Sequence, residues 1–243
     1  MRLCAIVPTY ENAATLAKVV REVRAHVDSV IVVDDGSGPD ARSVTERLAS
    51  EGLAIAVFRE KNGGKGAAVK SGLARAAELG FTHALQIDAD GQHRSADIPR
   101  FIDAARENPT ALILGQPVFD RTAPFGRRVG RLVSVFWCAV ETLSLRIGDP
   151  LCGFRVYPVD KALAVGARGD AMDFDPEIAV RLVWAGVLVV HVRTDVRYVP
   201  REEGGVSHYH FVRDTALISW MHTRMCLLGL LRLFGWRTRP RLT

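Results

Sequence analysis

Four aspartates fall in two short clusters, Asp34-Asp35-Gly36-Ser37 and Asp88-Ala89-Asp90-Gly91-Gln92. Carboxylates this close repel one another and any phosphate unless a cation stands between them, and a hard divalent cation takes oxygen ligands of this kind. The alternation Asp88-Ala89-Asp90 can aim both carboxylates at one ion, with Gln92 nearby as a neutral oxygen ligand. A nucleoside diphosphate could complete the coordination shell. An acidic turn can equally be solvated or capping, so its place in the fold decides. Two more clusters belong with these. Pro8-Thr9-Tyr10-Glu11-Asn12 stands where a dinucleotide fold would carry G-x-G-x-x-G, and Asn62-Gly63-Gly64-Lys65-Gly66 lacks the Lys-Ser/Thr ending of a P-loop. The glycine loop is either a plain turn or a close backbone approach to a nucleotide with Lys65 beside it.

Positioning these clusters falls to short apolar, β-branched runs: Leu3–Val7, Val30–Val33, Ala54–Phe58, His83–Ile87 and Ala111–Leu114 read as strands. Between them, Leu16, Val19, Val20, Val23 and Val27 mark one helical face, and Ile98, Phe101, Ile102 and Ala105 another. The strand starts lie 24–29 residues apart. That leaves room for helical crossovers, hence parallel strands, right-handed connections and a doubly wound α/β sheet. All four polar clusters then fall at the carboxyl ends of strands, the edge where such sheets bind ligands.

In order along the chain, Val7-Pro8-Thr9-Tyr10-Glu11-Asn12, Val32-Val33-Asp34-Asp35-Gly36-Ser37, Gly64-Lys65-Gly66, Asp88-Ala89-Asp90-Gly91-Gln92-His93 and Cys152-Gly153-Phe154-Arg155 resemble the motifs of family-2 glycosyltransferases, nearest the dolichyl-phosphate mannose synthase-like branch. The resemblance covers about residues 3–200. Gly204-Gly205-Val206-Ser207-His208 and Ile218-Ser219-Trp220-Met221-His222-Thr223-Arg224 are similar to bacterial members associated with aryl-polyene clusters. The resemblance implies a GT-A, Rossmann-like catalytic domain over residues 1–200, followed at 201–243 by an active-site loop and a basic amphipathic helix. It also implies a UDP- or GDP-linked sugar donor, Mg2+ or Mn2+, and inversion at the anomeric carbon. On this chain Pro8, Tyr10, Glu11 and Asp35 would surround the base and ribose, with Asp34, Lys65 and Ala89 in the same donor site. Asp88, Asp90 and Gln92 would hold the metal and diphosphate, and His208 and Arg213 would meet the diphosphate when the loop closes.

Acceptor chemistry is carried by two more groups. Arg121, Arg127, Arg128 and Arg131 precede or open the apolar segment Leu132–Val140, and guanidinium groups suit bidentate phosphate recognition. In the lipid-phosphate branch, arginines here meet donor or acceptor phosphates, which makes Arg127 and Arg128 candidates; the other reading is a solvated loop beside a helix. Gly115-Gln116 departs from the branch, which tends to place an arginine near position 116. Asp173-Phe174-Asp175-Pro176-Glu177 opens a helix, where acids and proline are favoured on capping grounds alone. In relatives with hydroxyl acceptors an acid in this region acts as the base, and Glu177, then Asp175, matches that position. A phosphate acceptor, already ionised, would need none.

With 48% hydrophobic and 24% charged residues the chain can bury a core, and it is neither disordered nor fibrous. Its formal charge of +5 is uneven: residues 1–190 hold 23 basic and 23 acidic side chains, whereas residues 191–243 hold 9 arginines and 4 acids. A neutral body with a basic, apolar end argues for an anionic membrane surface and against a nucleic-acid partner. From Thr215 to Trp236, Leu217, Trp220, Met221, Leu227, Leu230 and Phe234 alternate with Arg213, Arg224, Arg232 and Arg237, which suits a helix lying at a lipid interface. The alternative packs it on the domain or against a second subunit of a homo-oligomer. No stretch approaches the ~20 apolar residues of a membrane span. Leu3 to Val7 is too short for a signal peptide's apolar core, so a cytoplasmic location at the inner membrane face is expected. Cys4, Cys138, Cys152 and Cys226 show no zinc-type spacing, and His208, His210 and His222 show none either, so substrate contact or packing is expected of these histidines. The expected activity is transfer of a sugar from a nucleotide diphosphate sugar to a lipid-linked or apolar acceptor. Polyprenyl-phosphate glycosyl synthesis and a non-catalytic nucleotide-sugar-binding module are the alternatives.

Overall fold

A computed structural model describes residues 1–119, 125–196 and 211–234. Seven strands alternate with eight α-helices: β1 (Leu3–Thr9), α1 (Leu16–Arg24), β2 (Val30–Asp34), α2 (Pro39–Ser50), β3 (Ile55–Phe58), α3 (Lys65–Glu78), β4 (His83–Gln86), α4 (Ile98–Glu107), β5 (Leu112–Phe119), α5 (Phe125–Thr142), β6 (Arg155–Pro158), α6 (Val159–Ala164), α7 (Phe174–Trp184), β7 (Val189–Val196) and α8 (Phe211–Leu233). The five strands expected from the sequence are all present, the first four within two residues at each end, while β5 runs five residues past the expected Leu114.

The sheet order is β3-β2-β1-β4-β6-β5-β7. All pairings are parallel except β4 with β6 and β5 with β6. In β2 every residue is buried, because helices cover both faces of the sheet. Successive side chains go to opposite layers: Cys4, Ile6, Ile31 and Val33 pack with α3, α5, α6, α7 and α8, while Ala5, Val7, Val30 and Val32 pack with α1, α2 and α4. The two helical faces read from the sequence, on α1 and α4, are the buried faces observed.

Strand order turns back between β1 and β4, so the crevice past their carboxyl ends is the switch point of the sheet. Register places Thr9 beside Asp34 and Ile6 beside Gln86, which sets the aspartate clusters level with one another. Antiparallel β6 begins at this same edge, with Arg155 paired to both Gln86 and Leu114. That direction delivers Cys152-Gly153-Phe154 to the switch point. Helix α8, part of the expected C-terminal extension, sinks Met221 and Met225 into the core beside α5 and α7 and so belongs to the domain.

Candidate active site

The acidic turn follows β4 directly. The Thr15 hydroxyl donates to the Ala89 carbonyl at 2.6 Å, and the Gln92 amide donates to Asp90 Oδ1 at 3.0 Å, fixing the backbone so that both aspartates stay near the crevice. Lys65, the first residue of α3, puts its ammonium 2.8 Å and 2.9 Å from the two oxygens of Asp88 and 3.0 Å from Asp175 Oδ2. His93 Nε2 lies 3.6 Å from Asp88. Gly153 lets β6 approach this pair: a Cβ there would overlap Asp88 and come within 2.5 Å of Lys65 Nζ.

Behind Lys65 the charges continue. Arg155, fully buried, donates to the carbonyls of Cys152, Pro150 and Asp175, and its guanidinium stands 3.8 Å from Asp175 Oδ1. Tyr157 donates to Gln86, whose amide reaches Asp175 at 3.4 Å. Asp88, Lys65, Asp175 and Arg155 thus alternate in sign and sum to zero. Burial alone would raise the Asp88 carboxyl and lower the Lys65 ammonium. The attraction between them, helped by Asp175 on one side and His93 on the other, outweighs it, holding Asp88 well below the usual carboxylate range and Lys65 above the usual lysine value. Asp90 is the surplus charge: burial first, and then the neighbouring Asp88 carboxylate, push its pKa up. Asp88 Oδ1 is also buried without a well-aligned hydrogen bond. The surplus negative charge of Asp90 beside Asp88 fits a hard divalent cation held by these two carboxylates.

The first loops close the opposite side of the crevice. Asp35 stands at the expected edge but turns its carboxylate inward, accepting from Arg59 Nε at 2.6 Å, from the Gly64 amide at 2.7 Å and from the Gly63 amide at 3.1 Å. The glycine-loop amides are therefore spent on Asp35, and Gly64 takes a left-handed φ of 98° to make that turn. Asp34 accepts from the Ser37 amide at 2.8 Å and keeps its second oxygen buried with no hydrogen-bond donor among the described residues. Glu11 accepts from the Gly38 amide at 2.7 Å, joining the first loop to the second. Pro8 and Tyr10 border the same crevice at the end of β1.

Glu177, the first candidate base, is engaged by basic partners inside the fold. Its side chain has no exposed surface, and its oxygens accept from Arg181 Nε at 2.6 Å, Arg224 at 2.5 Å and the Gly169 amide at 2.8 Å. Burial would raise this carboxyl, but Arg181 leads the groups that hold it below the ordinary range. A base must reach the acceptor oxygen, and this carboxylate instead clamps α7 to α8. Asp175, the second choice, is committed to Lys65 and Arg155. Arg131 is drawn off by Asp149 at 2.5 Å. Arg213 is exposed on the first turn of α8, with no hydrogen bond or ion pair to Asp88 among the described residues. His208 and Arg121, with the side chains of Arg127 and Arg128, lie outside the described residues. Sequence reasoning left His93, Arg59 and Arg155 without roles. Arg155 carried a signal, since a guanidinium inside Phe154-Arg155-Val156-Tyr157 has to find partners when that run is buried.

Known proteins resemble this chain in sequence and in fold. Residues 4–155 match the model of the family described as glycosyl transferase family 2. The chain is 32% identical over 221 residues to polyprenol monophosphomannose synthase of Mycolicibacterium smegmatis, covering 84% of this chain and 79% of that one. It is 28% identical over 217 residues to undecaprenyl-phosphate mannosyltransferase of Micrococcus luteus, covering 84% and 86%. Among solved structures, glucosyl-3-phosphoglycerate synthase of Mycobacterium tuberculosis, in complex with Mn2+, UDP and glucosyl-3-phosphoglycerate, superposes with a TM-score of 0.70 at 19% identity, covering 93% of this chain and 80% of that one. With the sheet order and the acidic turn at its switch point, these likenesses identify a GT-A, Rossmann-like glycosyltransferase, and the chain belongs to glycosyl transferase family 2.

Proposed function

We propose that the protein moves a sugar from a nucleoside diphosphate sugar to a polyprenyl phosphate, with Mg2+ or Mn2+ held by Asp88 and Asp90 and with Gln92 beside them. The observation that carries the acceptor assignment is the commitment of both candidate bases, Glu177 and Asp175, to buried ion pairs. An acceptor phosphate arrives ionised and needs no base, whereas a hydroxyl does. The relatives named for undecaprenyl-phosphate and polyprenol substrates support the same reading.

A divalent ion bound at the acidic turn supplies positive charge for the departing diphosphate. The chain's own residues prepare the site. Lys65, fixed between Asp88 and Asp175, keeps a second positive charge beside the turn and holds Asp88 ionised. Asp35, Arg59 and the Gly63-Gly64 amides brace the loop facing the donor, and the nucleoside is proposed to lie against Tyr10, Glu11 and Asp34 at the ends of β1 and β2. Direct attack by one phosphate oxygen on the anomeric carbon inverts it. Arg127 and Arg128 are proposed to meet acceptor or donor phosphates.

A polyprenyl chain also demands an apolar approach. No described helix is long and apolar enough to cross a membrane. Helix α5 nevertheless exposes Leu132 and Phe136, with exposed Leu143 just past its end, and α8 exposes Trp220 and Leu227, with exposed Phe234 just past its end. We propose these as peripheral contacts with the membrane. Because α8 also enters the core, point substitutions test this better than truncation: Phe136→Glu with Trp220→Glu should abolish flotation with anionic liposomes while leaving Tm unchanged. Equal flotation would remove the membrane reading. For the acceptor, labelled UDP- and GDP-sugars are offered with Mn2+ and either undecaprenyl phosphate or undecaprenol. Transfer to the phosphate alone is expected, and transfer to the free alcohol would require a catalytic base and overturn the acceptor assignment. Donor hydrolysis without transfer to either would favour a different acceptor, and binding without turnover a non-catalytic module.

A further inference from the structure

We propose a second metal site, away from the acidic turn, in which Cys138, Glu141, His222 and Cys226 bind a transition-metal ion, Zn2+ by the chemistry of the set, between α5 and α8. Ligand-type atoms of Cys138, Glu141 and His222 all lie within 4.8 Å of one another, and all three residues are buried. Cys226 Sγ stands 4.0 Å from Glu141 Oε1, and His222 Nδ1 stands 2.8 Å from the same oxygen. Two ligands come from each helix: Cys138 and Glu141 are three apart on α5, and His222 and Cys226 are four apart on α8, spacings that put each pair on one helix face. Two sulfurs, an imidazole and a carboxylate form a tetrahedral zinc set, and the soft sulfurs disfavour Mg2+ and Mn2+.

A second observation points to a ligand. Glu141 Oε2 and His222 Nε2 are both buried with no hydrogen-bond partner among the described residues. A plain His-Glu pair welding two helices leaves two orphaned polar atoms, each a cost in a closed interior. A bound ion uses that lone-pair capacity. On binding, the two thiols lose their protons to solvent and the ion takes the thiolates, with His222 neutral. Contraction of less than an ångström per atom brings groups 4.8 Å apart to zinc-ligand separations, within reach of rotamer adjustment. The effect would be structural: α8 carries Arg224, which clamps Glu177 of α7, so an ion at His222 fastens the helix two residues from that clamp.

The test is Co2+ and Zn2+ binding to the full chain purified under reducing, metal-free conditions. One equivalent of Co2+ should produce visible tetrahedral absorption and a thiolate-to-cobalt charge-transfer band, both bleached by Zn2+. An Asp88→Asn/Asp90→Asn variant should keep these signals, separating this site from the acidic turn, and Cys138→Ser/Cys226→Ser should lose the charge-transfer band. Free Zn2+ at about 100 times its Kd should raise Tm by roughly 5–10 °C in the wild type, and an equal shift in the Cys138→Ser/Cys226→Ser variant would count against the site. Absence of the charge-transfer band in folded wild-type protein, or its persistence after both cysteines are replaced, would overturn the proposal. Should the double cysteine variant fail to fold, His222→Gln, which keeps both sulfurs, should weaken Co2+ binding at least tenfold; undiminished binding would equally overturn it.

Discussion

Replacing Glu177 with glutamine separates a clamp from a catalytic base. Glutamine preserves shape but removes the charge that two guanidinium groups share, turning an amide NH2 toward one of them. Removing one partner of a buried ion pair costs about 3–5 kcal/mol, largely because the other charge is left uncompensated. Arg181 and Arg224 are 12% and 26% exposed, so each can recover some hydration, and the lower end, about 3 kcal/mol, applies. For a domain of this size that lowers Tm by roughly 6–12 °C. The pH dependence has a definite sign. Arg181 and Arg224 hold the folded-state carboxyl below its ordinary value, so the stabilisation is complete above the unfolded glutamate pKa of about 4.3 and is lost as pH falls through the folded value. The Tm gap between wild type and Glu177→Gln should therefore be constant near neutrality and close in acid. Taking the difference between the two proteins cancels the remaining titrations. Transfer rate per folded molecule, measured well below the variant's Tm, should fall less than tenfold. An unchanged Tm together with a loss of a hundredfold or more in kcat, at wild-type donor affinity, would refute the clamp and restore Glu177 as the base.

Asp90→Asn should lower kcat by about 10²–10³-fold, the scale for losing one electrostatic stabiliser of a transition state. Calorimetry should show weakened Mn2+ binding while Tm stays level or rises, since the substitution removes surplus buried charge; full metal-dependent activity would take Asp90 out of the donor site. Lys65→Met leaves Asp88 and Asp175 facing each other and should cost about 3 kcal/mol without metal. Saturating Mn2+ should recover part of that loss, because a cation can serve Asp88 in place of the ammonium; an equal loss with and without Mn2+ would contradict a shared site. Gly153→Ala drives a methyl group against Asp88 and Lys65, an overpacking cost of about 1–3 kcal/mol, and should impair Mn2+ binding more than its Tm loss accounts for. Wild-type Mn2+ affinity in that variant would show that the close approach is not needed.

What could be read from the sequence follows the range of each interaction. Strands β1 to β4 and the buried faces of α1 and α4 are written locally, as apolar runs and as a helical period, and strand direction then forces the Asp34, Lys65 and Asp88 loops to one edge. Strand β6 was illegible because four residues containing a buried arginine and a proline do not resemble a strand interior. Strand β7 did carry a signal, with Val190, Val192, Thr194 and Val196 alternating against His191, Arg193 and Asp195. Acids at the start of α7 were visible, but their meaning was set by partners far away: Arg224 meets Glu177 across 47 residues, and Lys65 finds Asp175 on another helix. The pairing of Glu141 with His222 has no local signal either: they stand 81 residues apart and meet only because α8 folds onto α5. Local spacing therefore reveals groups that one turn or one helix face brings together. Groups that two elements must assemble show themselves in sequence only as charges or ligand atoms lying where burial is expected, and Arg155, Glu177 and Glu141 are each of that kind.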